Sequence, residues 1–225
     1  MITDLPIYVY VTFLVAILFS LVMFYFASNK SLNFIVVIVL WGILQNLLAI
    51  SGFYERTLTV PPRLMLIISP MVAIVISSIF SNKMKNWLNT FNLKQLTYLH
   101  SVRILVEVVL FWLFLAVYVP KLMTFEGRNF DIWAGITAPI VAFIAFRNNK
   151  INKPLLWIWN LFSLILFLNV LVNATLSTPT VLQQFAFDQP NIAMTKFPFL
   201  LLPAIIVPLV LISNIAGFII LKRQS

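Results

Sequence analysis

The sequence predicts an all-α fold: an integral membrane bundle of seven transmembrane helices, with the N-terminus outside and the C-terminus cytoplasmic. Three observations predict it. Of the 225 residues, 62% are hydrophobic and 9% charged, whereas a soluble domain is about 45–50% apolar and about 25% charged. The mean hydropathy is +1.03, more apolar surface than a core of this size can hold, so the solvent for much of it is lipid. The positive charges also fall on alternate connections, which gives the bundle its orientation.

The spans follow from the long apolar runs, which are charge-free apart from Arg103 and Glu107 in the fourth and Asp131 at the start of the fifth. The first covers about residues 7–27, the second 34–50 and the third 64–80. The fourth covers about 96–119, the fifth 131–146, the sixth 155–175 and the seventh 198–221. A crossing needs roughly 17–25 residues, so the fifth is the marginal one. No Lys or Arg precedes the first run, and Lys30 follows it, which favours an uncleaved helix entering from outside. With seven crossings the cytoplasmic segments hold Lys30, Lys83, Lys85, Lys94, Arg147, Lys150, Lys153, Lys222 and Arg223, and no acid. The outer segments hold Arg56, Arg63, Lys121, Arg128 and Lys196 against Asp4, Glu55, Glu126, Asp131 and Asp188. A fifth run that failed to cross would place Arg147, Lys150 and Lys153 outside and erase the asymmetry. The charge of +9 thus belongs to membrane topology, and no nucleic-acid partner is expected.

Between the third and fourth spans, Met84, Trp87, Leu88 and Phe91 recur at helical spacing while Lys83, Lys85 and Lys94 take other positions. This predicts a short helix in the cytoplasmic interface, with its lysines toward anionic lipid headgroups. No linker or internal repeat divides the chain, so residues 1–225 read as one domain. Pro70, Pro139, Pro203 and Pro208 lie inside spans, where they can kink helices.

Chemistry is constrained by what is missing. The chain has no cysteine and one histidine, His100. Thiolate nucleophiles, Cys-ligated metals and bis-histidine haem within one chain are excluded, and no metal or cofactor is expected. No lysine lies within residues 198–221, so a retinal Schiff base in the last span is excluded.

The fourth span carries the main candidate. His100, Arg103 and Glu107 fall on one helical face, and Glu107 lies roughly 16 Å from the start of that run, near the bilayer midplane. An ionised group there costs at least about 2.5–3.5 kcal/mol, so the stripe must face the bundle. Either Arg103 and Glu107 pair at i,i+4 and lock packing, or Glu107 binds a cation, a proton or a polar ligand group, with His100 and Arg103 on the inner route. Gln45 and Asn46 on the second span can complete such a site.

A second candidate is an outer-face pocket of Glu55, Arg56, Arg63, Glu126, Arg128, Asp131 and Asp188, suited to a zwitterion or a lipid headgroup. Asp131 equally reads as a first-turn acid favoured by the dipole of the fifth helix. The segments Met-Thr-Phe-Glu-Gly-Arg-Asn-Phe-Asp-Ile (123–132) and Gln-Phe-Ala-Phe-Asp-Gln-Pro-Asn-Ile (184–192) resemble those of a family of uncharacterised bacterial multi-pass membrane proteins. That resemblance covers mainly the second half of the chain and implies a bacterial inner membrane, with no activity to carry over. The expectation is a protein that binds a small ligand or ion inside its bundle, in the manner of a small permease. The alternatives are a receptor or accessory protein using its outer loops, and an interfacial enzyme carried by Glu55, Glu126 and Asp131.

Overall fold

The computed structural model describes residues 1–147 and 150–224. Its helices are α1 (Ile7–Ala27), α2 (Leu32–Ile50), α3 (Met65–Phe80), α4 (Asn82–Leu88), α5 (Leu93–Leu99), α6 (Val102–Leu115), α7 (Asp131–Ala145), α8 (Lys153–Ser177) and α9 (Val207–Gln224). A π-helical turn, Leu202–Ile206, leads into α9. Among the described residues, five stretches are long and apolar enough to cross a bilayer: α1, α2, α5 with α6, α8, and Leu202–Arg223. A sixth is counted if α3 and α4, bent by 104°, form one broken span. At 15 residues, α7 is roughly 22 Å long and falls short of that test.

Leu202–Arg223 is the centre of the bundle, with 72% of its apolar window buried, against 17% for α2 at the edge. It packs against α3, α5 and α8. Polar side chains tie these neighbours together: Ser213 Oγ donates to the Leu96 carbonyl at 2.9 Å, and Asn160 Nδ2 to the Asn214 carbonyl at 2.9 Å. The outward faces stay apolar, as Val11, Leu14, Leu18 and Val22 on α1 and Leu161, Ile165, Leu168 and Val172 on α8 illustrate. Lipid, not water, satisfies such faces.

Local chemistry sets the ends of several helices. Ser81 caps α4 by accepting from the Met84 amide, Asn92 caps α5 from Gln95, and Asn152 caps α8 from Leu155, with Pro154 in its first turn. The predicted helix between the third and fourth spans is α4; Leu88 and Phe91 are buried while Lys83 and Lys94 are exposed.

Two predicted spans differ in detail. The run read as 96–119 starts at Leu93, breaks at His100–Ser101 and stops at Leu115. At the break the amides of His100, Ser101, Arg103 and Ile104 each bond three residues back, a tighter 3₁₀ pattern that separates α5 from α6. The run read as 198–221 turns helical only near Leu202 and opens as a π-turn. Pro208, just beyond it, has no N–H to give the carbonyl four residues earlier.

Segment 116–130 folds into the bundle instead of lying across its end: Val119, Met123, Thr124 and Asn129 are buried. Irregular backbone is tolerated at such depth only where protein groups satisfy it, and here they do. Gln189 Nε2 donates to the Phe114 and Val119 carbonyls at 3.1 and 2.7 Å, and Asn169 Nδ2 to the Arg128 carbonyl at 2.7 Å. Asn129 Nδ2 donates to the Met123 carbonyl at 3.0 Å. Gly127 allows the tightest turn, because a Cβ there would sit 2.1 Å from the Lys121 carbonyl oxygen.

The connections gather at two opposite ends. At one end the Ile2 amide bonds the Phe197 carbonyl, Tyr118 bonds Asp4, and the Ile192 amide bonds the Tyr118 carbonyl. At the other, the Asn92 amide bonds the Ala27 carbonyl, Asn29 bonds the Thr90 carbonyl, and the Asn152 amide bonds the Ala145 carbonyl.

Candidate functional site

Arg103, Glu107 and Asp131 meet inside the bundle, all nearly inaccessible. Arg103 Nη1 forms an ion pair with Asp131 Oδ1 at 2.9 Å and donates to the Ser163 carbonyl at 3.1 Å. The Arg103 guanidinium also lies 5.8 Å from the Phe167 ring centroid. Glu107 Oε1 accepts from Asn129 Nδ2. Asn129 is held in turn by the Met123 carbonyl, and its own Oδ1 accepts from the Asp131 amide at 3.0 Å.

Two features bring α7 to this point. Gly135 lets it press onto α6, since a Cβ there would be 2.9 Å from the Ile104 amide nitrogen and 3.2 Å from Arg103 Cβ. The inward fold of 116–130 starts α7 at the depth of Arg103 rather than at the end of the bundle. Asp131, expected on the outer face, therefore lies in the interior, where it is also the first-turn acid of α7. The i,i+4 pairing of Arg103 with Glu107 is replaced by the Asp131 pair, because α7 begins beside Arg103 and presents its first-turn carboxylate there at 2.9 Å.

Three polar atoms of this cluster have no partner among the described residues: Arg103 Nε, Arg103 Nη2 and Glu107 Oε2. Buried polar groups are almost always partnered, so each such atom calls for an explanation. These residues line an internal cavity bounded by α3, α6, α8 and the start of the last helix. About 160 Å³ of it is open to the centre of a water-sized sphere, where one water needs only about 10–15 Å³. Arg103, Val106, Glu107 and Leu110 form one stripe of its wall at helical spacing. Thr178, Thr180 and Asn191 roof it, and the Oδ1 of Asn191 also lacks a partner. The remaining walls are almost wholly apolar, with Phe167 and Met194 among them.

The other sequence candidates do not join this cluster. His100 sits by a small separate cleft, with Nδ1 3.3 Å from Ser163 Oγ and its ring edge-on to Trp159 at 5.1 Å. Gln45 accepts from the Tyr54 hydroxyl near the end of α2, and burial pushes the Tyr54 phenol up to about 12. Asn46, the next residue on α2, has a buried Oδ1 without a partner and does not line the main cavity.

The outer-face set is not gathered either. Glu55, Arg56, Arg128 and Asp188 are exposed. Arg63 is used locally, donating to the Phe53 carbonyl at 3.0 Å with its guanidinium 4.4 Å above the Phe53 ring centroid. Glu126 makes an exposed 3.9 Å pair with Lys121. Among the described residues no group of three or more His, Cys, Asp or Glu side chains could hold a metal ion.

Sequence reasoning missed Asn129, Phe167 and the Ser163 carbonyl as parts of the site. The only signal was indirect: a fifth hydrophobic run too short to start at the membrane surface, preceded by Asn129-Phe130-Asp131.

The fold and the buried charge cluster together define a helical, multi-pass integral membrane protein. Residues 60–222 match the model of a domain of unknown function, DUF8737, and the chain belongs to that family. No curated protein and no solved structure matches it.

Proposed function

We propose that this protein binds a small ligand or ion in the cavity beside Arg103, Glu107 and Asp131, in the manner of a small permease. The observation that carries the reading is the set of unpartnered atoms on the cavity wall, Arg103 Nε and Nη2 and Glu107 Oε2. Ionisable residues at membrane depth mark functional sites by default. A sealed structural ion pair would satisfy these atoms rather than aim them into space. The outer-loop receptor and interfacial-enzyme readings have no comparable support, since Glu55 and Glu126 are exposed and do not converge.

The membrane arrangement proposed with this function is seven crossings in a bacterial inner membrane, N-terminus outside. The segment 116–130 supplies the depth that α7 lacks, so α7 makes a crossing together with it. The end carrying the Ala27–Asn92 and Ala145–Asn152 bonds then faces the cytoplasm. It holds Lys30, Lys83, Lys85, Lys94, Lys150 and Lys153, as the positive-inside rule requires. Lysines on and after α4 meet anionic headgroups there.

The absence of native cysteine makes the test clean. Val106 lines the cavity. Val109, on the same helix, is 2% exposed and lies away from it. Single variants Val106→Cys and Val109→Cys, reconstituted in lipid, are treated with N-ethylmaleimide. The expected result is labelling at least about tenfold faster at position 106, and slowed by the cavity-filling change Ala174→Phe. Equal rates at the two positions would show a closed bundle and end the proposal.

A further inference from the structure

The shape of the cavity bears on where its occupant comes from. The deep end lies at Arg103, which bonds the Ser163 carbonyl on α8. The shallow end lies by Thr175, eight residues along α8 from the first lining residue, Phe167, and exposed, which makes the chamber roughly 12 Å long. Among the lining residues, Met65 and Leu182 are also exposed, at 42% and 39%. Met65 opens α3 and Thr175 closes α8, so the mouth lies between these two helices. Both helices carry apolar outward faces next to it, Leu66 and Val72 on α3 and Leu168 and Val172 on α8. Pro62, Leu64 and the segment 178–194 close the chamber toward its end of the bundle. The opening therefore lies at the outer ends of α3 and α8, beside their apolar outward flanks, and the walls between it and the charge cluster are almost wholly apolar.

Resting on the binding reading above, we infer that the occupant is a single-chain amphiphile taken from the membrane. Its uncharged hydroxyl or primary-amide head lies against Arg103 and Glu107, and its chain runs out between α3 and α8. The head is set by the free atoms. Arg103 already has its counter-charge in Asp131 at 2.9 Å, which leaves Nε and Nη2 to donate and Glu107 Oε2 to accept. A hydroxyl or primary amide carries both an acceptor and a donor. A carboxylate adds a second negative charge beside a cation that Asp131 already neutralises. An ammonium offers Arg103 no acceptor and repeats its charge. Either would leave a buried group uncompensated in a low-dielectric site.

The test uses Val106→Cys in nanodiscs of phosphatidylethanolamine and phosphatidylglycerol. Leu168→Cys, 46% exposed on the outward face, serves as the lipid-facing control. Dodecanol and dodecanamide are expected to slow maleimide labelling at position 106 about tenfold, at concentrations that leave position 168 unchanged. Dodecane, laurate and dodecylammonium are expected to protect far less. Equal protection by dodecane would refute recognition of the head, and strongest protection by laurate or dodecylammonium would refute an uncharged one. If position 106 reacts readily and only water-soluble probes such as glycine or tetramethylammonium protect it, the amphiphile is overturned while the binding chamber stands. An unreactive position 106 overturns both.

Discussion

Removing the Asp131 carboxylate tests the architecture of the cluster most sharply. Arg103 and Asp131 form a 2.9 Å pair whose side chains are 2% and 9% exposed. An exposed pair is worth about 0.2–1 kcal/mol. Breaking a buried one by removing a partner costs about 3–5 kcal/mol, because the remaining charge is stranded. Asp131→Ala also removes a first-turn acid from α7, a further loss of about 0.3–1 kcal/mol. The expected cost is therefore about 3–6 kcal/mol. For Asp131→Asn, whose amide oxygen still accepts from Arg103, it is about 3 kcal/mol or somewhat less.

Glu107, one turn along α6, is the only other acid that Arg103 can turn to. Asp131→Ala combined with Glu107→Gln should thus exceed the sum of the single costs by at least about 1 kcal/mol. The swap Arg103→Met with Asp131→Leu should return to within about 1–2 kcal/mol of the parent, since apolar replacements of buried pairs are often neutral or better. Equilibrium unfolding in mixed micelles, followed by tryptophan fluorescence, reads all of these. A loss under about 1 kcal/mol for Asp131→Ala, with no coupling to Glu107, would refute the buried charge network.

Further outcomes follow from neighbouring contacts. Asn129→Ala strips the donor from both Glu107 and the Met123 carbonyl, and should cost about 1–3 kcal/mol in the same assay. Gly127→Ala places a methyl against the Lys121 carbonyl at 2.1 Å. It should destabilise by about 1–3 kcal/mol and expose segment 116–130 to protease added at its end of the bundle. Tyr118 donates to both Asp4 oxygens at 2.6 and 2.7 Å, which holds the Asp4 carboxyl below its usual range and pushes the Tyr118 phenol up to about 12. The Asp4 contribution is present above its ordinary value of about 3.9 and lost as pH falls through the lowered one; the Tyr118 contribution is full below about 10 and lost as pH rises toward 12. Phenolate absorbance, with Tyr118→Phe as the blank, should show the Tyr118 midpoint moving down toward 10 in Asp4→Asn, and an unmoved midpoint would exclude the contact.

Much of this arrangement was legible from hydropathy and helical spacing alone. The long apolar helices coincide with predicted runs because a bilayer sets a length that composition reveals. The inward orientation of Glu107 followed from its depth, since lipid offers an ionised carboxylate nothing. What remained hidden depends on tertiary structure. Segment 116–130 has the composition of a surface loop, and side chains distant in sequence, Gln189 and Asn169, together with its own Asn129, help to make its burial tolerable. Because that burial was invisible, Asp131 was grouped with Glu126 and Arg128, and Arg103 was left with Glu107 as its only visible partner. The break at His100–Ser101 had no proline or glycine to announce it. The outer-face set was assembled from proximity in sequence, and Arg63 turned out to be held by Phe53 in its own loop.

On the proposed function, Arg103, Glu107 and Asp131 line an occupied chamber rather than a sealed core. Cryo-electron microscopy of the protein in a lipid nanodisc, with a bound antibody fragment for alignment, addresses it directly. The expected map shows Arg103 paired with Asp131, and elongated non-protein density running from Glu107 toward the gap between Met65 and Thr175. Side chains collapsed into that space, with Arg103 turned onto Glu107 and α3 closed against α8, would contradict it.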